Sequence, residues 1–303
     1  VTGRTADRPE LAAVTMVFDE PTHLPFWTRH YVRELGAANC TVIDHGSDPV
    51  LMARWRAGVG AGVNVIRLPR SPQDDTRRAA FVSALCSALL GYYPAVMYTD
   101  SDEIVVADPD RHAGLADYAA ALAADPSAPA VITAHGYEVI HRASDEATLD
   151  WSRPAGRQRH WLRFSSALCK PVLIRRPVAW APGFHCIEAP PVFGDLHLFH
   201  LRFADEADGL ARLARTRAQP WAEAGAGSHQ RMADADWLAM LRGMAGLPGD
   251  PARRLDAEDA ELRRWTAAIT DSDRAWSGGT YRYALDLAPM ALWRLPERFR
   301  DRF

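Results

Sequence analysis

A chain of 303 residues that is 48% hydrophobic and 24% charged has room for one large α/β domain, or for such a domain with a helical appendage. Its 35 Lys and Arg against 38 Asp and Glu give a formal charge of −3, so nothing global points to nucleic acid and no such partner is expected. No apolar run approaches the ~20 residues of a membrane span and no signal-peptide core opens the sequence, so the expectation is a soluble, cytoplasmic protein.

Residues 1–9 read as a polar, frayed lead-in. The first half then alternates short apolar runs with amphipathic stretches, the pattern of βαβ units on a mostly parallel sheet with helices on both faces. Strands are expected at 12–18, 40–43, 63–68 and 95–99. A helix over 24–35 places Leu24, Trp27, Tyr31 and Leu35 on one face, with Gly36 as its C-cap. Asp48-Pro49 supplies an N-cap and a first-turn proline for a short helix through Trp55. The clearest helix carries Ala80, Phe81, Ala84, Leu85, Ala88 and Leu89 at helical spacing and stops at Gly91 before Pro94. Asp108-Pro109 opens a helix to about residue 124, and 130–140 reads as strand. Beyond 205 the chain turns helical near 206–218, 229–245 and 256–269. The expected organisation is therefore a catalytic unit over 10–205 and a C-terminal, mainly helical region over 206–303 packed on it. Cys40, Cys86, Cys169 and Cys186 lie in unlike contexts without metal-ligand spacing and read as buried, reduced thiols.

Chemistry in an open α/β sheet collects outside the carboxyl ends of its strands. Those ends read Phe18-Asp19-Glu20, Asp44-His45-Gly46-Ser47-Asp48, Arg67, and Asp100-Ser101-Asp102-Glu103. Side chains two apart in an extended segment share a face, so Asp100 and Asp102 present two hard oxygen donors together. Such a pair suits Mg²⁺ or Mn²⁺ held jointly with substrate phosphates. Asp48 reads better as the helix cap its proline implies. A histidine ending an apolar strand reads as a core or rim residue, yet a neutral imidazole is also a competent ligand, which makes His200, and after it His185, a candidate third metal ligand, whereas His197 reads as structural. Between Trp151 and Arg163 the chain carries Arg153, Arg157, Arg159, His160 and Arg163 and no acid. This is either a solvated loop or a lid whose Arg157 and Arg159 contact a diphosphate. The tail 290–303 mixes Arg with Trp, Leu and Phe, which suits docking on the protein itself or weak peripheral membrane contact.

Several of these segments together resemble one family. Val17-Phe18-Asp19-Glu20 ahead of Leu24-Pro25-x-Trp27-x-x-His30-Tyr31, then Val42 to Asp48, then Tyr98-Thr99-Asp100-Ser101-Asp102-Glu103 are similar to the opening, second strand and Asp-x-Asp-Glu signature of glycosyltransferase family 2-like proteins. Lys170-Pro171-Val172-Leu173-Ile174-Arg175, Gly183-Phe184-His185 and His197 to Arg202 resemble their later Lys-to-Arg, Gly-x-His and His-x-Arg elements. The resemblance covers about residues 12–205 and departs from the family at Asp19, where Asn is usual. It implies a GT-A fold, with a Rossmann-like nucleotide-binding half and an acceptor half. Asp19 and Glu20 would border the nucleotide, Asp44 would contact base or ribose, and Asp100 and Asp102 would hold the metal and the donor diphosphate.

The expected function is metal-dependent transfer of a sugar from a nucleotide-diphosphate donor to a hydroxyl or amine of a saccharide or small-molecule acceptor. The resemblance favours inversion, for which Glu103, Glu138 and His185 are the candidate bases. A nucleotidyltransferase on a similar sheet is the competing enzyme, although no Gly-rich phosphate loop follows the first strand. A non-catalytic sugar- or nucleotide-binding module is the alternative outside catalysis. Ala and Arg abundance suggests a bacterial source.

Overall fold

A computed structural model describes residues 10–223, 227–250, 253–272 and 280–303; the lead-in read at 1–9 lies outside them. In chain order the main elements are β1 (Leu11–Val17), α1 (His23–Leu35), β2 (Cys40–Asp44), α2 (Pro49–Ala57), β3 (Asn64–Arg67), α3 (Asp75–Leu89), β4 (Ala95–Tyr98), β5 (Glu103–Ala107), α4 (Leu115–Ala124), β6 (Val131–Ile140), β7 (Trp161–Phe164), β8 (Pro171–Ile174), β9 (Phe193–His200), α5 (Glu206–Ala218), α6 (Asp234–Ala245), β10 (Gly249–Asp250), α7 (Ala260–Thr270) and β11 (Leu292–Arg294).

The first four strands lie parallel in the order β3-β2-β1-β4, joined through α1, α2 and α3 in the manner of a Rossmann-like half-sheet. Their alternation divides the core in two. Leu11, Ala13 and Val17 of β1 face Leu24, Trp27 and Tyr31 of α1, whereas Ala12 and Val14 face Ala79, Val82 and Cys86 of α3. Helices on both faces therefore follow from these runs. The local signals hold as well. Gly36 closes α1 at φ +83°, and the Asp48 carboxylate accepts from the Val50 and Leu51 amides as the cap of α2.

Past β4 the sheet is mixed rather than mostly parallel, because the later connections include hairpin-like returns instead of helical crossovers. β8 runs antiparallel to β4 and β6, and β7 is antiparallel to β6 and β11. Residues 103–107 form β5 and pair antiparallel with β9, so the helix read from Asp108 begins only at Leu115. The C-terminal region is not helical throughout, since β10 and β11 extend the sheet. Its tail docks on the protein's own core: Trp293, Leu295, Phe299 and Phe303 are buried, and the Phe303 ring stacks on Phe199 with centroids 4.1 Å apart. The apolar surface that membrane contact would need is thus spent internally. Among the described residues no helix is long and apolar enough to cross a membrane, and all four cysteines are buried free thiols.

Candidate active site

A cleft of about 550 Å³ opens where β1, β2 and β4 end. Phe18, Asp19, Glu20 and His45 line one part of it; Asp100 to Glu103, Glu138, Lys170, His185 and His200 line another. Two helices close the sides, α3 through Arg78 and α5 through Arg212 and Arg215. The strand-end acids read from the sequence therefore meet in one cavity with cations drawn from distant segments.

Each carboxylate of the Asp-x-Asp pair is already engaged. Asp100 accepts from Arg78 and from the Tyr98 hydroxyl at 3.0 Å, and lies 3.5 Å from the Lys170 ammonium. Burial opposes its charge, but Arg78 and Lys170 prevail and hold its pKa at about 2. Asp102, 3% exposed, accepts from Arg212 and from His200 Nε2 at 2.9 Å. These cations likewise outweigh burial and keep its carboxyl well below the usual range. Glu103 is locked between the Lys170 ammonium at 2.6 Å and the Asp100 amide at 3.1 Å.

His200 lies between two carboxylates, with Nε2 on Asp102 and Nδ1 2.8 Å from Glu138. A ring that serves two acceptors must donate from both nitrogens. Burial disfavours that charge, yet Glu138 and Asp102 push the pKa up to about 10. His185 is arranged differently. Its Nδ1 lies 2.6 Å from the Ala167 carbonyl, which places the proton there and the lone pair of the neutral ring on Nε2. The nearby Gly183 has φ +83°, and a Cβ at that position would stand 2.7 Å from the His185 ring; the Gly-x-His spacing thus has a steric reason.

At the β1 end, Glu20 accepts from the Thr22 and His23 amides at 3.1 Å and pairs with Arg215 and Arg212 at 3.4 and 3.7 Å. Burial opposes this charge too, but His23, Arg212 and Arg215 hold the pKa at about 2. Asp19, in the left-handed region at φ 45°, lines the cleft and accepts from the Asp48 amide at 2.7 Å. Asp44 does not line it. Its carboxylate, 1% exposed, is consumed by Arg67 at 2.8 Å and the Ser47 amide at 2.8 Å, and its neighbour His45 faces the cavity instead.

Arg157 and Arg159 are also absent from the cleft lining. Arg157 pairs with Asp301 on the surface. Arg159 is buried, donating to the Ala204 carbonyl at 2.5 Å, to the Ala147 carbonyl at 2.9 Å and to Asp205 at 3.3 Å. Trp151 packs edge-on against His23 and Phe26, so the Arg-rich loop is anchored to the body of the protein instead of closing over the site.

The donor set does not fit a resident Mn²⁺ or Mg²⁺ as arranged. Among the described residues no three His, Cys, Asp or Glu side chains are grouped to hold a metal ion. His200 spends both nitrogens as donors, which disqualifies it as a ligand, and the oxygens of Asp100 and Asp102 face Arg78, Lys170 and Arg212. These cations come to the acids from distant segments of the chain. Arg78, Arg212 and Arg215 lack any local motif, but Lys170 had a compositional signal: it is the single lysine among 35 Lys and Arg.

No protein-family model matches this chain, and no curated protein matches it significantly. Among solved structures it is similar to a mannose-1-phosphate geranyltransferase from Thermus thermophilus, with 11% identity over 76% of this chain and a TM-score of 0.26. The chain spans 64% of the length of that protein. A likeness at that level carries no argument about activity.

Proposed function

We propose that the protein is a glycosyltransferase that takes a sugar from a nucleotide-diphosphate donor, on a GT-A-like catalytic unit over residues 10–205 completed by α5. One observation carries this reading: Asp100, Asp102, Glu103, Glu138, Lys170 and His185 converge in one cleft at the carboxyl ends of parallel strands, where open α/β sheets bind ligands. Sugar transfer needs a group that removes the acceptor proton and an environment that stabilises the charge developing on the departing diphosphate. Each of the three candidate bases has a partner: Glu103 has Lys170, Glu138 has His200, and His185 has the Ala167 carbonyl at Nδ1. His185, with its basic nitrogen set as Nε2, is the residue we assign to the acceptor proton. Asp19 and Glu20 border the nucleotide in this reading, and Asp44 acts as a strut for the β2 end.

The test is turnover of a panel of UDP-, GDP- and dTDP-sugars by wild type and Asp102→Asn, followed by release of the nucleoside diphosphate. One donor is expected to be consumed, with a loss of about 100-fold in the variant, because Asp102 positions Arg212 and His200 in the cleft. Pyrophosphate release from a nucleoside triphosphate and a sugar 1-phosphate, without turnover of any nucleotide sugar, would replace this reading with nucleotidyl transfer.

A further inference from the structure

In a chain whose cationic side chains are otherwise all arginine, the single lysine lies in the cleft, 6% exposed. Arginine offers a broad planar fork, whereas an ammonium is a compact point charge with three donors. Lys170 uses that compactness, with its Nζ 2.6 Å from Glu103 and 3.5 Å from Asp100. The Glu103 contact is at hydrogen-bond distance, the Asp100 contact is an ion pair, and the side chain borders the cavity.

The charge around it is unlike that of a divalent-metal cage. Seven carboxylates line the whole cleft against five permanent cations and His200, but the pair Asp100 and Asp102 is itself faced by four cationic side chains, Arg78, Lys170, Arg212 and His200. A divalent cation placed on that pair finds its two carboxylates already matched by cations. An incoming anion finds several side chains able to exchange a carboxylate oxygen for a phosphate oxygen of like geometry. Three segments supply them: α3, the loop ahead of β8, and α5.

We propose that the cleft seats the diphosphate of its donor directly on Lys170, Arg78, Arg212 and Arg215, with no divalent cation resident on Asp100 and Asp102. This rests on the nucleotide-sugar reading and specifies how that donor is held. Arg212 leaves Asp102, and Arg215 leaves Glu20, to meet the phosphates, while Lys170 turns its third N–H to the oxygen nearest β4. In such a site the leaving diphosphate is stabilised by fixed protein charge.

Calorimetric titration of the full chain in excess EDTA, with inorganic pyrophosphate, with UDP, GDP, dTDP and CDP, and with the parent nucleosides, tests this. Pyrophosphate and one nucleoside diphosphate are expected to bind in EDTA, with Mn²⁺ changing the Kd by less than about threefold. Lys170→Arg keeps the charge but replaces the compact ammonium between Glu103 and Asp100 by a broader fork, and it should weaken the diphosphates about tenfold or more and leave the nucleosides unmoved. Should Lys170→Arg fail to fold by circular dichroism, Arg215→Gln makes the same comparison from a more exposed position. Binding that appears only with Mn²⁺, and that these variants leave intact, overturns the proposal and leaves the glycosyltransferase reading standing. Absence of binding by every nucleotide, with and without Mn²⁺, removes both.

Discussion

Two buried ionic clusters in this protein use the same residue types and are built for opposite ends. Around Arg159 every polar contact is closed: the guanidinium meets the Ala204 and Ala147 carbonyls and Asp205, and Asp205 also caps α5 by accepting from the Asp208 amide at 3.0 Å. Around Asp100 and Asp102 the pairs border a cavity of about 550 Å³, where a ligand can reach their cations. A buried ion pair thus says little by itself. What distinguishes a strut from a binding site is whether a ligand can reach the charges. The two are also connected, because the Arg159 cluster fixes the start of α5, and α5 carries Arg212 and Arg215 to the cleft.

The sharpest way to break the comparison is Arg159→Ala. It leaves Glu146 and Asp205 buried beside a missing partner, and a loss of about 3–5 kcal/mol in urea unfolding is expected. A loss below about 1 kcal/mol would mean that the closed cluster is not a strut, and α5 would need another anchor.

A somewhat smaller effect belongs to the open cluster and depends on pH. Glu20 and Asp100 both titrate at about 2 in the folded protein against ordinary values of 4.5 and 3.8. Folded values below the unfolded ones give stability that is complete above pH 4.5 and is lost as the pH falls toward 2. For Glu20 alone this amounts to about 3 kcal/mol. Arg212→Gln takes a cation from both Glu20 and Asp102. The stability gap between variant and wild type should therefore be widest above pH of about 5 and should close toward pH 2. A gap that is the same at every pH would assign the loss to packing.

How much of this was legible in the sequence follows the range of each interaction. The acids at Asp19, Asp100 and Asp102, the Asp48-Pro49 cap, the Gly36 stop and the face of α1 are local, set by residues within a few positions, and each was readable. The pairing of Arg212 with Asp102 and of Glu138 with His200 was not, because those partners lie on elements far apart in sequence that only the tertiary fold brings together. The same limit explains the expected metal site. Asp102 and His200 do meet and Asp100 lines the same cleft, but the sequence does not show which cations arrive between them. Asp44 illustrates a further limit, since strand-end position predicts nearness to a ligand and not whether a neighbour such as Arg67 has already claimed the carboxylate.

The smallest expected effect concerns the loop that charge patterning marked most strongly. Arg157 and Arg159 are two residues apart in an acid-free stretch, and composition treats them alike. Their surroundings do not. Arg159 is enclosed by the closed cluster, whereas Arg157 and its partner Asp301 are both largely exposed, at 57% and 61% of their side-chain surface. An exposed pair gains little from its contact and is screened by salt. Arg157→Ala should therefore leave both the melting temperature and the nucleoside-diphosphate Kd at their wild-type values. A raised Kd at unchanged stability would restore Arg157 to the donor site and require the loop to move onto the cleft when the donor binds. An unchanged Kd, set beside a destabilised Arg159→Ala, would confirm that two neighbouring arginines of one loop serve the fold and the solvent, and that the phosphate-binding charge comes from α3, α5 and Lys170.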